Sequence, residues 1–301
     1  MSRVATIPLQ RTMASAISTA QEKLAVTQKR LSTGKKASDF ASLGTEAVRN
    51  LSAHSLLEQQ KAQSAVAKRV GTTMSLYQGH IEGIQATATS LRQQIMTAIG
   101  TGQSSGLQEA IESSFAQVRA SLNASEGGTP LFAGSQTDQT PFSVNSLADA
   151  ATTPVSQAFH DDNVLSSARV GDGVDVTYGV NASSIGTGLY EAFRTLAQAG
   201  TIGSTITDAQ RTALREAISK LNGGLDQVSA VNADNGRKQN QVDELSKRGE
   251  DRSLLLQKVI EDNEDADLGQ VAVDLAQQKT VLEASYSVFS QLSSLSLVKY
   301  L

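Results

Sequence analysis

Apolar residues recur along much of this chain at spacings of three and four, the period of one face of an α-helix. Met13, Ile17, Ala20, Leu24, Thr27 and Leu31 keep that beat near the N-terminus. Leu268, Val271, Leu275, Gln278, Leu282, Ser285, Phe289 and Leu292 keep it near the C-terminus. Both seams mix small and polar side chains with the large apolar ones. Neither helix can close a core alone, and each is expected to pack against another as a coiled coil. Between them, Val66, Val70, Thr73, Tyr77, Ile81, Ile84, Ala88, Leu91 and Ile95 predict a long helix from about Thr45 to Gly100. The segment Thr101–Gly106 breaks it, and a shorter helix follows through Leu107, Ile111, Phe115, Val118 and Leu122. A second long helix is expected to open at Thr207, which with Gln210 has capping-box spacing. Its seam runs Leu214, Ile218, Leu221, Leu225, Val228, then Val242, Leu245, Arg252, Leu256 and Val259. The polar stretch Asn232–Gln241 interrupts the seam but holds no proline, so the helix should continue through it.

The texture changes between Gly127 and Gly188, where three of the four prolines fall. Val174, Val176, Tyr178 and Val180 alternate strictly behind the pair Asp172–Gly173, a hairpin pattern. Helix is expected to return at Gly188. The order predicts a mainly α fold: an elongated rod of long antiparallel helices, its N- and C-terminal helices paired as a coiled coil, with a small β-containing insert at the far end. Residues 1–44 with 260–301 would form a terminal coiled-coil domain, 45–129 with 188–259 a helical rod domain, and 130–187 a small β-rich outer domain.

Composition sharpens this picture. Aromatic residues are 4 % and Trp is absent, which suits narrow helix–helix contacts better than a thick globular centre. A net charge of −4 offers no general attraction to nucleic acid or an anionic membrane. The charge is uneven: residues 1–40 hold seven Lys or Arg against two acids, and residues 250–301 hold nine acids against four bases. That asymmetry favours pairing of the two ends. The absence of Cys excludes disulfides, thiol catalysis and cysteine metal sites. No apolar run approaches a membrane span. The start MSRVATIPLQRTM lacks the apolar stretch and cleavage site of a general secretory signal.

Candidate chemistry is sparse. His54, His80 and His160 are scattered without metal-ligand spacing and read as surface residues. The acidic run Glu261–Asp267 lacks the order of a calcium loop. It reads as an acidic start to the last helix, favoured by the helix dipole, with pairing to the basic N-terminal set as a compatible second role. Gly171–Asp172–Gly173 is a turn, and Asp161–Asp162 read as solvated carboxylates. No catalytic, cofactor or metal site is expected. Arg30 and Lys35 admit two readings, a basic helix end favoured by the dipole or subunit contacts around Gly34.

Several stretches resemble one family. Arg30–Leu31–Ser32–Thr33–Gly34–Lys35 is similar to the R-[IL]-[ST]-[ST]-G stretch that ends the first helix in bacterial flagellins and their relatives. Ile260–Asp267 resembles the acidic segment before the last helix of that family. Leu131–Phe132–Ala133–Gly134–Ser135–Gln136–Thr137–Asp138 with Pro141–Phe142 resembles the LFAGxxTDxxPF stretch of the hook-associated protein 3 type, the hook–filament junction proteins. The ending Leu295–Leu301 resembles their SLLDYL-like terminus. The chain departs from the pattern at Ala37–Ser42, where an Asp-Asp-Pro-rich spoke is usual, and at Lys299, where Asp is usual.

The resemblance implies a non-enzymatic structural subunit of the bacterial flagellum that joins hook to filament, without cofactors. It implies secretion by the flagellar type III route, an extracellular location and a role in motility. Implied partners are further copies in a ring or tube, another hook-associated protein, flagellin, and an export chaperone at the C-terminal helix, with no nucleic acid and no membrane span. The alternative within the family is a filament-forming flagellin. A chemoreceptor-like helical hairpin would explain the long helices but not the Gly- and Pro-rich insert, and an enzyme sited in the insert has only scattered Asp and Thr in its favour. The positions expected to form the assembly interface are Ile17, Leu24, Arg30, Leu31, Gly34, Lys35, Leu268, Val271, Leu275, Leu282, Phe289, Leu292, Leu297 and Leu301.

Overall fold

The computed structural model describes residues 3–297, with the side chains of residues 3–7, 10 and 292–297 left out of the description. In chain order it holds α1 (Arg3–Thr33), a 3₁₀ turn (Ala41–Glu46), α2 (Ala47–Thr101) and α3 (Leu107–Leu122). Then come β1 (Ser125–Glu126), β2 (Thr129–Pro130), α4 (Leu147–Ala150), α5 (Val155–Ala158), β3 (Ser166–Gly171) and β4 (Val174–Tyr178). It ends with α6 (Ala182–Gln198), α7 (Asp208–Glu264) and α8 (Leu268–Leu297). The fold is mainly α, with two small two-stranded antiparallel sheets among the described residues.

The chain divides into two compact units, Met1–Gln59 with Arg252–Leu301 and Gln60–Asp251. In the second unit α2 and α7 run antiparallel. Asn235 donates to the Met74 carbonyl at 3.1 Å, Arg92 to Asn222 at 2.8 Å and Arg211 to the Ile99 carbonyl at 3.4 Å. Their apolar seams meet α3 and α6 in one core that includes Ile84, Leu91, Ile111, Phe115, Leu189, Phe193 and Leu221. The seam of α7 does not stop at the polar stretch. Asn235 is 3 % exposed and holds the position between Val228 and Val242, so a hydrogen-bonding residue carries on the helix-to-helix contact where the apolar pattern lapses. Arg252, expected in the seam, is exposed instead. The Thr207 cap forms as expected: Gln210 N–H donates to Thr207 Oγ1 at 3.2 Å, and Thr207 N–H donates to Gln210 Oε1 at 3.2 Å.

The insert is richer than its sequence pattern. Its first hairpin begins at Ser125, two short helices precede β3, and α6 opens at Ala182 rather than Gly188. That opening turn mixes small residues with Ile185, which continues the seam of Leu189 and Phe193 across Gly186 and Gly188, and it is held by Asp161, whose carboxylate accepts from Ser183 N–H at 3.2 Å and Ser183 Oγ at 2.5 Å. The β3–β4 hairpin turns at Asp172–Gly173 and pairs Ser166 with Tyr178. Its buried Val170 and Val176 pack against Ala67, Val70, Met74 and Val242. It therefore does not lie at the far end of the α2–α7 pair, where Gln103 bridges to Thr205. A two-stranded hairpin needs a surface to cover its apolar face, and the flank of the helix pair supplies it.

The LFAG-type stretch is a core strap. Leu131, Phe132 and Ala133 are buried, and Phe132 meets Tyr77 edge-on at 5.3 Å. Phe142 lies among Phe115, Phe159 and Tyr190. Gly134 adopts φ +68°, and a Cβ there would stand 2.2 Å from Asp162 Oδ1. Asp162 accepts from Ser135 N–H at 2.9 Å, from the Ser135 hydroxyl, from Gln136 at 3.3 Å and from Val164 N–H at 3.1 Å. Asp161 and Asp162 are thus bracing groups of the insert, not the loosely solvated carboxylates expected from sequence.

Candidate assembly site

The first unit is built around the end of α1. Gly34 stops that helix with a left-handed backbone, φ +70°, and its N–H donates to the Arg30 carbonyl at 2.8 Å. The chain then pairs with the segment between α7 and α8. Lys36 N–H donates to the Glu264 carbonyl at 2.6 Å, and Ala266 N–H to the Gly34 carbonyl at 2.8 Å, forming an antiparallel bridge of Lys35 with Asp265. Lys35 Nζ stands 2.5 Å from Asp265 Oδ1 and 3.2 Å from Glu264 Oε2. Lys36 Nζ donates to the Asp262 carbonyl at 2.5 Å, covering an orphan acceptor of the last turn of α7.

Glu264 is the centre of this cluster. Its Oε1 accepts from Asn50 Nδ2 at 2.5 Å and lies 2.6 Å from His54 Nε2, both on α2. Burial by itself would push this carboxyl up; the hydrogen bonds from His54, Asn50 and Lys35 outweigh it and hold the group down at about 2. Lys35 is pushed up, chiefly by its hydrogen bond to Asp265. Phe40 meets His54 edge-on at 5.7 Å. Asp39 accepts from Ser42 N–H at 2.8 Å and from its hydroxyl at 2.7 Å, fixing the turn where the family's spoke pattern is absent.

The acidic run is placed differently from the sequence reading. Glu261, Asp262 and Glu264 lie in the last turn of α7, at the negative end of its dipole, where carboxylates are disfavoured. Lys35, Lys36, Asn50 and His54 offset that placement. Asp267 alone caps α8, accepting from Gly269 N–H at 2.9 Å and Gln270 N–H at 3.2 Å. The expected pairing of this run with the basic N-terminal set is present in Lys35 and Lys36.

From this cluster α1 and α8 run together, antiparallel, as shown by a second contact, Gln21 Nε2 donating to Tyr286 Oη at 2.5 Å. The expected seams face inward. Met13, Ile17, Ala20 and Leu24 of α1, and Leu275, Gln278, Leu282, Ser285 and Phe289 of α8, are half-buried. Among the described residues of the two helices, Thr27 and Val271 alone are fully buried. Leu31 and Leu268, at the cluster end, remain 39 % and 50 % exposed. Arg30 is exposed, and among the described residues its guanidinium has no ion-pair partner. The side chains of Leu292 and Leu297, and all of Leu301, lie outside the described residues.

Sequence reasoning missed His54 and Asn50, which sit on one face of α2 four residues apart. It also missed Glu264's part as a hub. A four-residue spacing of two polar residues within a helix is the only signal in the sequence, and it does not name a partner.

Apolar exposure is unevenly shared. Among the described residues the first unit shows fourteen large hydrophobic residues at the surface, seven from Leu9 to Leu56 and seven from Leu254 to Val288. The larger second unit shows Leu76, Met96 and Val164. Among the described residues no cluster of metal-ligating side chains occurs, and no helix is long and apolar enough to cross a membrane.

No family model matches the chain, and no curated protein matches it. Solved structures do. A protein assigned as a flagellar hook-associated protein from Vibrio parahaemolyticus aligns with a TM-score of 0.59 and 17 % identity, over 73 % of this chain and 97 % of that one. FlgL of Bacillus cereus aligns with a TM-score of 0.56 and 14 % identity, over 70 % of this chain and 98 % of that one. At such identities the likeness establishes a shared fold.

Proposed function

We propose that this protein is a structural, non-enzymatic subunit of the bacterial flagellum that joins hook to filament and assembles through α1 and α8. The observation that carries this reading is the concentration of exposed apolar side chains in the first unit. A concentration of exposed apolar side chains in one part of a molecule points to an interaction surface. Here it accompanies a helix pair whose seam, among the described residues, buries Thr27 and Val271 alone. Copies in a ring or tube would cover Val273, Val281 and Val288, which the α1–α8 contact leaves 60 %, 51 % and 42 % exposed. The fold shared with a hook-associated protein and FlgL supports the same reading, as does the LFAG-type strap. On this proposal the chain is exported through the flagellar type III route, with a chaperone on its C-terminal helix, and is placed between another hook-associated protein and flagellin.

Deleting the gene tests it. The expected outcome is hooks without attached filaments and flagellin released into the medium. Filaments that still form on the hooks, together with purified protein that polymerises from filament seeds, would instead establish a filament-forming flagellin.

A further inference from the structure

We infer that the bridge of Lys35 with Asp265 is a clamp that fixes the register in which α1 and α8 slide against each other. The inference rests on how the seam of the helix pair is built. A seam of Ile17, Ala20, Leu24 and Thr27 against Leu275, Gln278, Leu282 and Ser285 alternates small and large side chains in a pattern that nearly repeats every seven residues. Displacement by one heptad therefore costs the apolar contact little, and register in such pairs is set by polar groups. Gln21 makes a side-chain bond across the pair to Tyr286, at a solvent-exposed position.

The base of the pair is built differently. Two main-chain hydrogen bonds, Lys36 N–H to the Glu264 carbonyl and Ala266 N–H to the Gly34 carbonyl, fix the chain just past α1 against the segment that leads from α7 into α8. Main-chain pairing repeats from residue to residue, so it admits a set of discrete registers, and the side chains of the bridge select among them. Lys35 then ties both carboxylates of the facing segment, and Glu264 is itself held from α2 by Asn50 and His54. The clamp thus transfers the rigidity of α2 and α7 to a helix pair whose apolar seam specifies its alignment weakly. Identical copies can share contacts only if each presents its apolar positions at the same height, so a register device is useful to any assembly, but the inference does not depend on which one.

The chain has no Cys, so paired substitutions report register directly in the full-length protein. Gln21→Cys with Tyr286→Cys reads the observed register, and Gln21→Cys with Lys279→Cys reads a one-heptad slip, each joined by a short bifunctional thiol reagent. The first pair should crosslink and the second should not. Adding Lys35→Ala and Asp265→Ala should lower the ratio of the two yields about fivefold, the scale of a partly screened ion pair, with helicity by circular dichroism unchanged. Lys35→Arg, which keeps a cation between the carboxylates, should preserve the ratio. Equal yields in the parent, or a ratio that survives loss of Lys35 and Asp265, overturns the inference. Either result leaves the flagellar reading to its own genetic test.

Discussion

Gly34 and Gly134 adopt nearly the same left-handed backbone in different surroundings, and their substitutions separate conformational from steric cost. Nothing lies within 4 Å of a Cβ at Gly34, so Gly34→Ala should destabilise the first unit by about 1 kcal/mol from backbone conformation alone. At Gly134 the same change also drives a methyl group into Asp162, and the loss should reach about 3 kcal/mol or more. Thermal unfolding of the two variants checks the ordering. The carboxylates near these glycines set an acid limit. Asp162 is held down at about 2, chiefly by the Ser135 hydroxyl, and Glu264 at about 2 against its own burial. A carboxylate lowered by folding stabilises the protein fully above its unfolded value, 3.8 for Asp162 and 4.5 for Glu264, and that stability drains away as the pH falls towards about 2. Lys35 works on the other side: its contribution is complete below 10.5 and is lost as the pH rises through its raised folded value. Denaturant titrations from pH 5 to about 2 should therefore show a falling midpoint, and Asp162→Asn should shallow that fall while lowering stability at neutral pH.

At the scale of elements, packing depth decides what a substitution does. Leu91 on α2 is fully buried, so Leu91→Ala should cost about 2–5 kcal/mol in the free protein. Leu24 on α1 is half-buried, so Leu24→Ala should cost well under 2 kcal/mol there; on the proposed function it should also strongly weaken assembly, measured by co-sedimentation with hook–filament preparations. Thr207→Ala removes the hydroxyl of the cap on α7 and should cost about 1 kcal/mol. Much at this scale was legible in advance. Periodicity located α1, α2, α3, α7 and α8, because a helix seam repeats within a few turns whatever it packs against. The opening turn of α6 was not read, although Ile185 stands four residues before Leu189, because Gly186 and Gly188 interrupt that stripe and Asp161 holds the turn from outside the helix. Asn235 hid in the same way: it occupies a buried seam position as a polar residue, and only the Met74 carbonyl across from it explains why.

For the whole molecule, the division into two units gives a concrete expectation. Limited trypsin treatment of the purified protein should trim residues from both chain ends first and leave a resistant fragment close to Gln60–Asp251, which holds the large buried core; mass spectrometry of the products reads this out. Equal resistance of the ends would count against the assembly reading. What the sequence by itself determined was whatever depends on neighbours close along the chain: the period of each helix, the stop at Gly34, the cap at Thr207, the turn at Asp172–Gly173, and the opposite charge of the two ends. What only the tertiary structure decided was how residues far apart use one another. Three segments converge on Glu264, and that convergence makes a carboxylate at the unfavourable end of α7 tolerable and turns His54 and Asn50 from ordinary helix residues into its partners. Spacing along a chain specifies direction on a helix surface, but not which group from elsewhere arrives at that surface to satisfy a buried charge.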